Sequence, residues 1–398
     1  MPPRGRRYDD STVSRAFLLL LVVLVLAGCA TTGPPAAPVA PSSASRAAAP
    51  VTPVAPGDSR PAPPEPAPAS AGVQLERGQL LLGRGDAAGA ASALREALRL
   101  QPDLVAARSA LGLALYGLGD LDGAVEELHT ALRRQPDADA ARLALATVLV
   151  ARQEWPAARA ELERVLAAAP ERVQARYTLA VVRYAQGDVA GATDAYRRVL
   201  AADPRQQDAR YNLALVLKLA RREAEATPEF VIAAQSGHAR AQYFAGAAYA
   251  DGLGVERSLP TAIAWWIRAA EQGVPQATEA LAQLRQTALG RAGRAPAAAT
   301  RQAVEQAFTE YRASLWKDFP DLTPAADEPL GAALLRQGRV PEAVTLLLRE
   351  AAALSQPAQQ LLETLYEHGV DGRLPAHDAR ILAYLEGAAA EGLRPLPR

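Results

Sequence analysis

The sequence predicts an all-α chain whose helices pair into hairpins and stack as an α-solenoid. Three observations predict it. Pro102, Pro136, Pro170 and Pro204 stand 34 residues apart. Gly85-Asp86, Gly119-Asp120 and Gly187-Asp188 each precede one of these prolines by 17 residues. Two further series, Ala90, Ala124, Ala158, Ala192 and Arg108, Arg142, Arg176, Arg210, keep the same step. A period of that length fits one helix–turn–helix. Such a unit cannot bury its apolar face alone, so its neighbours must cover it.

Residues 1–28 read as an export signal. Arg4, Arg6, Arg7 and Arg15 form a basic head, and Ala16 to Leu26 is an apolar run of eleven residues. At about 1.5 Å per residue that run cannot cross a hydrocarbon layer of roughly 30 Å, so it fits a signal peptide better than a membrane span. Tyr8-Asp9-Asp10 after Arg6-Arg7 departs from the twin-arginine pattern. Leu26-Ala27-Gly28-Cys29 follows the apolar run and resembles the bacterial lipobox. The resemblance implies cleavage before Cys29 and lipidation of its thiol and new amine. With Ala30 rather than aspartate next, it also implies the outer membrane, facing the periplasm. The alternative is an ordinary signal with an incidental cysteine. Cys29 is the single cysteine of the chain, so no intramolecular disulfide forms.

Residues 29–72 carry twelve prolines between Pro34 and Pro68, interleaved with Ala, Ser and Val. Such a segment cannot build a core and is expected to be an extended tether. At about 3.1 Å per residue it reaches on the order of 120 Å at most. The chain has 43 basic and 43 acidic side chains, and 39 against 41 without the signal. That balance leaves no electrostatic footprint for nucleic acid.

Residues 73–237 read as about five hairpins. In the first, Val73 to Leu100, the turn is Gly83-Arg84-Gly85-Asp86, with Asp86 placed to cap the second helix. Gly78 and Ala90 are expected to mark a close helix crossing. Leu111-Gly112, Leu145-Ala146, Leu179-Ala180 and Leu213-Ala214 repeat a large–small pair in the later A helices, while Leu128, Leu162 and Tyr196 fill a large slot in the B helices. The repeating prolines close B helices, whereas Pro156 opens one. These positions together resemble the tetratricopeptide repeat, which implies a right-handed α-solenoid with its A helices lining a concave surface. The fifth unit departs from the pattern. Its turn is Arg221-Arg222, and Pro228 is expected to delay or kink its B helix.

The period then changes. Ala233-Ala234-Gln235-Ser236-Gly237 is echoed 36 residues later by Ala269-Ala270-Glu271-Gln272-Gly273. Between them stand Ala241-Gln242-Tyr243, Gly246, Tyr249, Gly252-Leu253-Gly254-Val255, Ala262 and Trp265. This resembles the Sel-one-like repeat and implies a helical hairpin with a longer glycine loop over 238–289. Residues 290–300 read as a linker. In 301–398, Val304, Phe308, Tyr311 and Leu315 form one helical stripe, and Gln337-Gly338-Arg339 is a hairpin turn before Pro341. Ala358-Gln359, Tyr366 and Gly369 repeat Ala241-Gln242, Tyr249 and Gly252 at a distance of 117 residues, with Asp371 where a glycine is usual.

No constellation for chemistry stands out. His129, His238, His368 and His377 have no metal-ligand spacing, and no cofactor or catalytic residue is expected. Binding is the expected activity. The tetratricopeptide resemblance turns Leu75, Gln79, Leu82; Ser109, Leu113, Tyr116; Leu143, Thr147, Val150; Tyr177, Val181, Tyr184; and Tyr211, Leu215, Lys218 toward the groove. Of these, Tyr116, Tyr177, Tyr184, Tyr211 and Lys218 are the candidate contacts, since tyrosine adds large area with a polar tip. The alternative is that these side chains pack against neighbouring helices. The arginine series either pairs with B-helix carboxylates such as Glu161 and Glu163 or attracts an acidic partner. The expected function is an outer-membrane-anchored scaffold, facing the periplasm, that binds protein partners in an envelope assembly or export system. The alternative is a cell-wall-modifying enzyme docked by its repeats, with its chemistry near Arg301 to Leu330.

Overall fold

The computed structural model describes residues 70–291, 297–322, 328–370 and 372–393. The signal, Cys29, nearly all of the tether, Asp371 and the final Pro395 and Pro397 lie outside them. Among the described residues the chain is all-α, with one isolated β-bridge between Val370 and Leu374. It divides into two compact units, residues 1–202 and 203–398.

The first unit is four hairpins in chain order: α1 (Ala71–Gly83) with α2 (Ala87–Leu100), α3 (Val105–Gly117) with α4 (Leu121–Arg134), α5 (Asp139–Ala151) with α6 (Trp155–Ala168), and α7 (Val173–Ala185) with α8 (Val189–Ala202). Helix α1 begins two residues earlier than the proline-rich composition suggests, because Ser70 Oγ accepts the Val73 N–H at 3.3 Å. Asp86, Asp120 and Asp188 cap α2, α4 and α8, accepting the N–H of Gly89, Gly123 and Gly191 at 2.8, 2.9 and 2.8 Å. Those glycines were silent in the sequence reading. Each leaves room for the capping carboxylate, which a Cβ at its position would strike. The third hairpin has neither device. Gln153 takes the left-handed turn conformation at φ 60°, and Pro156 stands in the first turn of α6.

The crossing inside each hairpin pairs the small A-helix residue with a large B-helix one, four residues after the buried Ala90 in the first. Gly78 receives Leu94, and a Cβ on the glycine would lie 2.5 Å from Leu94 Cγ. Gly112 receives Leu128 in the same way, at 2.6 Å. The rule is therefore small on the A helix, large on the B helix sixteen residues later. Leu94, Leu128 and Leu162 are fully buried and Tyr196 is 1% exposed. Burying each such side chain stabilises by about 1.5–3 kcal/mol. Helices α1, α3, α5 and α7 also touch one another in succession, which sets their outer faces side by side.

The second unit opens with α9 (Gln207–Leu219) and α10 (Glu223–Gln235). Pro228 neither delays α10 nor ends it: the helix starts at Glu223 and carries the proline inside. Arg221, at φ 59°, makes the turn that glycine makes elsewhere. Next come α11 (Ala239–Asp251), α12 (Leu259–Glu271) and α13 (Pro275–Ala288). The loop after α11 is held by Gly252 and Gly254, both at positive φ. A Cβ on Gly254 would stand 2.5 Å from the Glu223 carbonyl oxygen, and Thr227 Oγ1 donates to the Leu253 carbonyl at 2.7 Å. Trp265 and Trp266 are both buried in this hairpin, and Trp266 is the one at the crossing. It sits on Gly246, and its Nε1 donates to the Tyr243 carbonyl at 3.1 Å.

Helix α14 (Ala298–Leu315) begins inside the stretch expected to be linker. Its stripe of Val304, Phe308, Tyr311 and Leu315 is buried in a core shared with α12 and α13. The unit ends with α15 (Leu330–Arg336), α16 (Val340–Ala352), α17 (Gln356–His368) and α18 (Ala379–Ala390). The 117-residue echo has a physical meaning. Gln242 donates to the carbonyl eight residues before it, Ala234, at 3.2 Å, and Gln359 does the same to Ala351 at 3.5 Å.

Candidate partner-binding surface

The positions on the A helices of the first unit that are expected to face the groove divide by burial. Val150 and Val181 are buried at 0% and 2% exposure and belong to the core. Ser109 and Thr147 turn their hydroxyls onto their own helices, donating to the Val105 and Leu143 carbonyls at 2.8 and 3.0 Å. Gln79 and Leu113 are exposed, and Tyr116, Tyr177 and Tyr184 are half-buried. Tyr177 meets Tyr196 edge-on at 5.9 Å. Burial raises the Tyr184 phenol above its ordinary range, which keeps it a hydrogen-bond donor. Gln79, Leu82, Ser109 and Leu113 line one hollow of about 480 Å³ with the start of α5. Row positions from two adjacent A helices thus share one concavity. It can take an extended or helical segment by apolar contact, with polar groups at its edge.

Tyr211 is a correction. It is 5% exposed in the second unit, stacked on His238 at 4.4 Å and close to Phe230 and Phe244 at 6.0 and 6.1 Å. It holds a core together and offers no free face. Leu215 is likewise 5% exposed, and Lys218 is half-buried. The aromatic cluster escaped the sequence reading, although Phe230 lies 34 residues after Tyr196 and was legible as the next large side chain. His238 Nδ1 accepts the Ala241 N–H at 3.0 Å and so caps α11. Its Nε2 lies 3.5 Å from Asp208, and that hydrogen bond holds the Asp208 carboxyl below its usual range.

The arginine series is resolved in favour of internal pairing. Arg108 reaches Glu127 at 2.7 Å, Arg142 reaches Glu161 at 2.6 Å and Arg210 reaches Glu229 at 2.6 Å. Each glutamate lies nineteen residues on. The second NH2 group of each arginine donates to the carbonyl of Pro102, Pro136 or Pro204. Glu163 is not part of this series; it pairs with Arg159 at 2.8 Å.

The tetratricopeptide repeat model matches residues 75–139, 109–173, 143–206 and 177–230. Residues 75–230 carry tetratricopeptide repeats. Similar solved structures include MamA from Desulfovibrio magneticus RS-1, 23% identical, covering 42% of this chain and 94% of that one with a TM-score of 0.39. PilF of Pseudomonas aeruginosa is 20% identical over 53% of this chain and 96% of that one, with a TM-score of 0.47. YrrB, described as a TPR protein with an unusual peptide-binding site, is 22% identical over 48% of this chain and 98% of that one, at 0.38. No curated protein matches. Tetratricopeptide repeats present side chains to protein partners, so the function class is that of a protein-interaction scaffold.

Proposed function

We propose that this chain is a lipid-anchored scaffold of a bacterial envelope, held at Cys29 in the outer membrane and facing the periplasm. The observation that carries the scaffold reading is the row of accessible A-helix side chains in the first unit, with Tyr116, Tyr177 and Tyr184 along it and the 480 Å³ hollow at one end. Leu26-Ala27-Gly28-Cys29 supports the anchor, and Ala30 supports the outer membrane. Residues 238–289 and the hairpin near Gln359 are read as Sel-one-like units, on the Gln242–Gln359 echo and the loop of Gly252 and Gly254. The mixture of repeat types favours an assembly or export system, with exopolysaccharide export the closest in build.

Two measurements test this. Cys29→Ser is expected to release the chain from the membrane fraction and to lower its intact mass by the lipid. A variant that stays in the outer membrane with unchanged mass refutes the anchor. Tyr184→Ala, with folding checked by circular dichroism, is expected to weaken capture of the envelope partner by about 2 kcal/mol. Arg133→Ala, on the exposed face of α4, is the control. Loss of capture in the control alone refutes the groove.

A further inference from the structure

The arginine–glutamate series is broken once. Arg176 occupies the same position in the fourth repeat as Arg108, Arg142 and Arg210 in theirs, and it donates to the Pro170 carbonyl as they do to their prolines. Nineteen residues on, where they find Glu127, Glu161 and Glu229, stands Ala195. The guanidinium is thus held in the pairing orientation with no carboxylate of its own within ion-pair reach among the described residues. In place of the missing side chain there is a hollow of about 480 Å³ lined by Arg176, Arg183, Arg198 and Ala195 together with two carboxylates, Glu163 and Asp194.

Arg183 makes the same point independently. Its Nε is buried and has no hydrogen-bond partner among the described residues. Its NH2 stands 3.9 Å from Glu163, a carboxylate already engaged by Arg159 at 2.8 Å. Of the other charged lining residues, Arg198 and Asp194 neutralise each other at 3.0 Å. The hollow therefore holds one cation without a counter-charge and a second that is under-neutralised. A buried N–H left unmade is costly, and a charge-assisted bond to a carboxylate is the strong way to satisfy it. The first repeat supplies a contrast. Ala93 replaces its glutamate and a similar hollow of about 580 Å³ opens, but Gln74 stands where the arginine would be. The fourth repeat alone keeps the cation and loses the anion.

We propose that this hollow binds a carboxylate side chain of an acidic partner polypeptide, which enters where the other repeats place their own glutamate. The site lies among α6, α7 and α8, apart from the row of groove tyrosines except that both use α7. It rests on the scaffold reading only in taking the ligand to be a polypeptide.

The test is fluorescence polarisation on the full chain with a labelled peptide of alternating alanine and glutamate, and with its glutamine counterpart. The glutamate peptide is expected to bind about tenfold tighter than the glutamine one. The preference should weaken at about 0.5 M salt. Ala195→Glu completes the internal pair, so it is expected to raise the melting temperature and to abolish the preference. Arg176→Gln is expected to abolish it without raising the melting temperature. Tyr184→Ala should leave it intact, which separates failure here from failure of the groove. Equal binding of the two peptides by the natural chain, or an undiminished preference in Ala195→Glu, overturns the proposal. Free glutarate that competes as strongly as the peptide overturns the polypeptide assignment.

Discussion

The two units use similar hairpins but tie them together over different distances. In the first, ion pairs between helices join neighbours: Arg108 to Glu127 spans nineteen residues and Arg152 to Asp122 spans thirty. In the second, Arg349 holds Glu271 across 78 residues and Arg285 holds Glu391 across 106. The first unit is thus close to one-dimensional, each repeat answering only to the next. The second gathers α13, α16 and the end of α18 around a single nearly buried arginine, which donates to Glu391 and to the Ala352 carbonyl. Regular spacing produces local, interchangeable contacts. Broken spacing goes with larger side chains and distant, particular ones.

Four substitutions probe this contrast, from the largest effect to the smallest. Trp266→Ala empties the slot on Gly246 and removes the bond to Tyr243. It is expected to destabilise the second unit by about 3–5 kcal/mol, read as a lower denaturation midpoint for that unit. Unfolding that spreads equally to residues 1–202 would erase the distinction between the units. Glu391→Gln strips Arg285 of its counter-charge. The two side chains are 8% and 18% exposed, so a loss of about 3 kcal/mol is expected. A shift below the error of a urea titration would mean that the long-range pair is not what closes this unit.

In the first unit, Ala124→Leu overpacks a position that is fully buried. It should cost about 1–3 kcal/mol, with faster hydrogen exchange confined to α3, α4 and their immediate neighbours. Uniform exchange across the unit would argue against one-dimensional behaviour. The smallest effect is a pH slope. Glu350 is buried and accepts the N–H of Leu330 and Gly331 at 2.8 and 3.1 Å. Burial raises its carboxyl above 4.5, and the two N–H donors only partly offset this. The folded state therefore holds the proton more tightly than the unfolded one. Stability should fall as pH rises from about 4.5 through the raised value. Glu350→Gln should flatten that slope; an unchanged slope assigns it to another group.

Much of the first unit was legible because its constraints are local. A proline ends a helix, an aspartate caps one and a small residue admits a large one, whatever lies elsewhere. The row of equivalent A-helix positions was legible for the same reason, since it follows from register alone. Register does not give exposure. Tyr211 holds the same register as Tyr177, yet it is covered by His238 and Phe244, which arrive from a helix outside the 34-residue period. Pro228 misled in the opposite direction. Its ring removes one N–H from α10, but the burial of Phe230, Ala233 and Ala234 keeps the helix running. Arg285 and Glu391 were not legible at all, because no periodicity links residues that far apart. The gap at Ala195 was written in the sequence, but it has meaning only once the other three arginines are seen to be paired.

The proline carbonyls give the arginine series a second consequence. Each arginine grips the loop that leads into its own A helix, at a proline carbonyl, and, where a glutamate is present, the second helix of its hairpin. It works as a rivet through three segments. At Arg176 the third segment is missing, so in the fourth hairpin, as in the first, the B helix can lift from the A helix without first breaking an ion pair of this series. An acidic ligand seated there would act as the absent fastener and would stiffen the fourth hairpin.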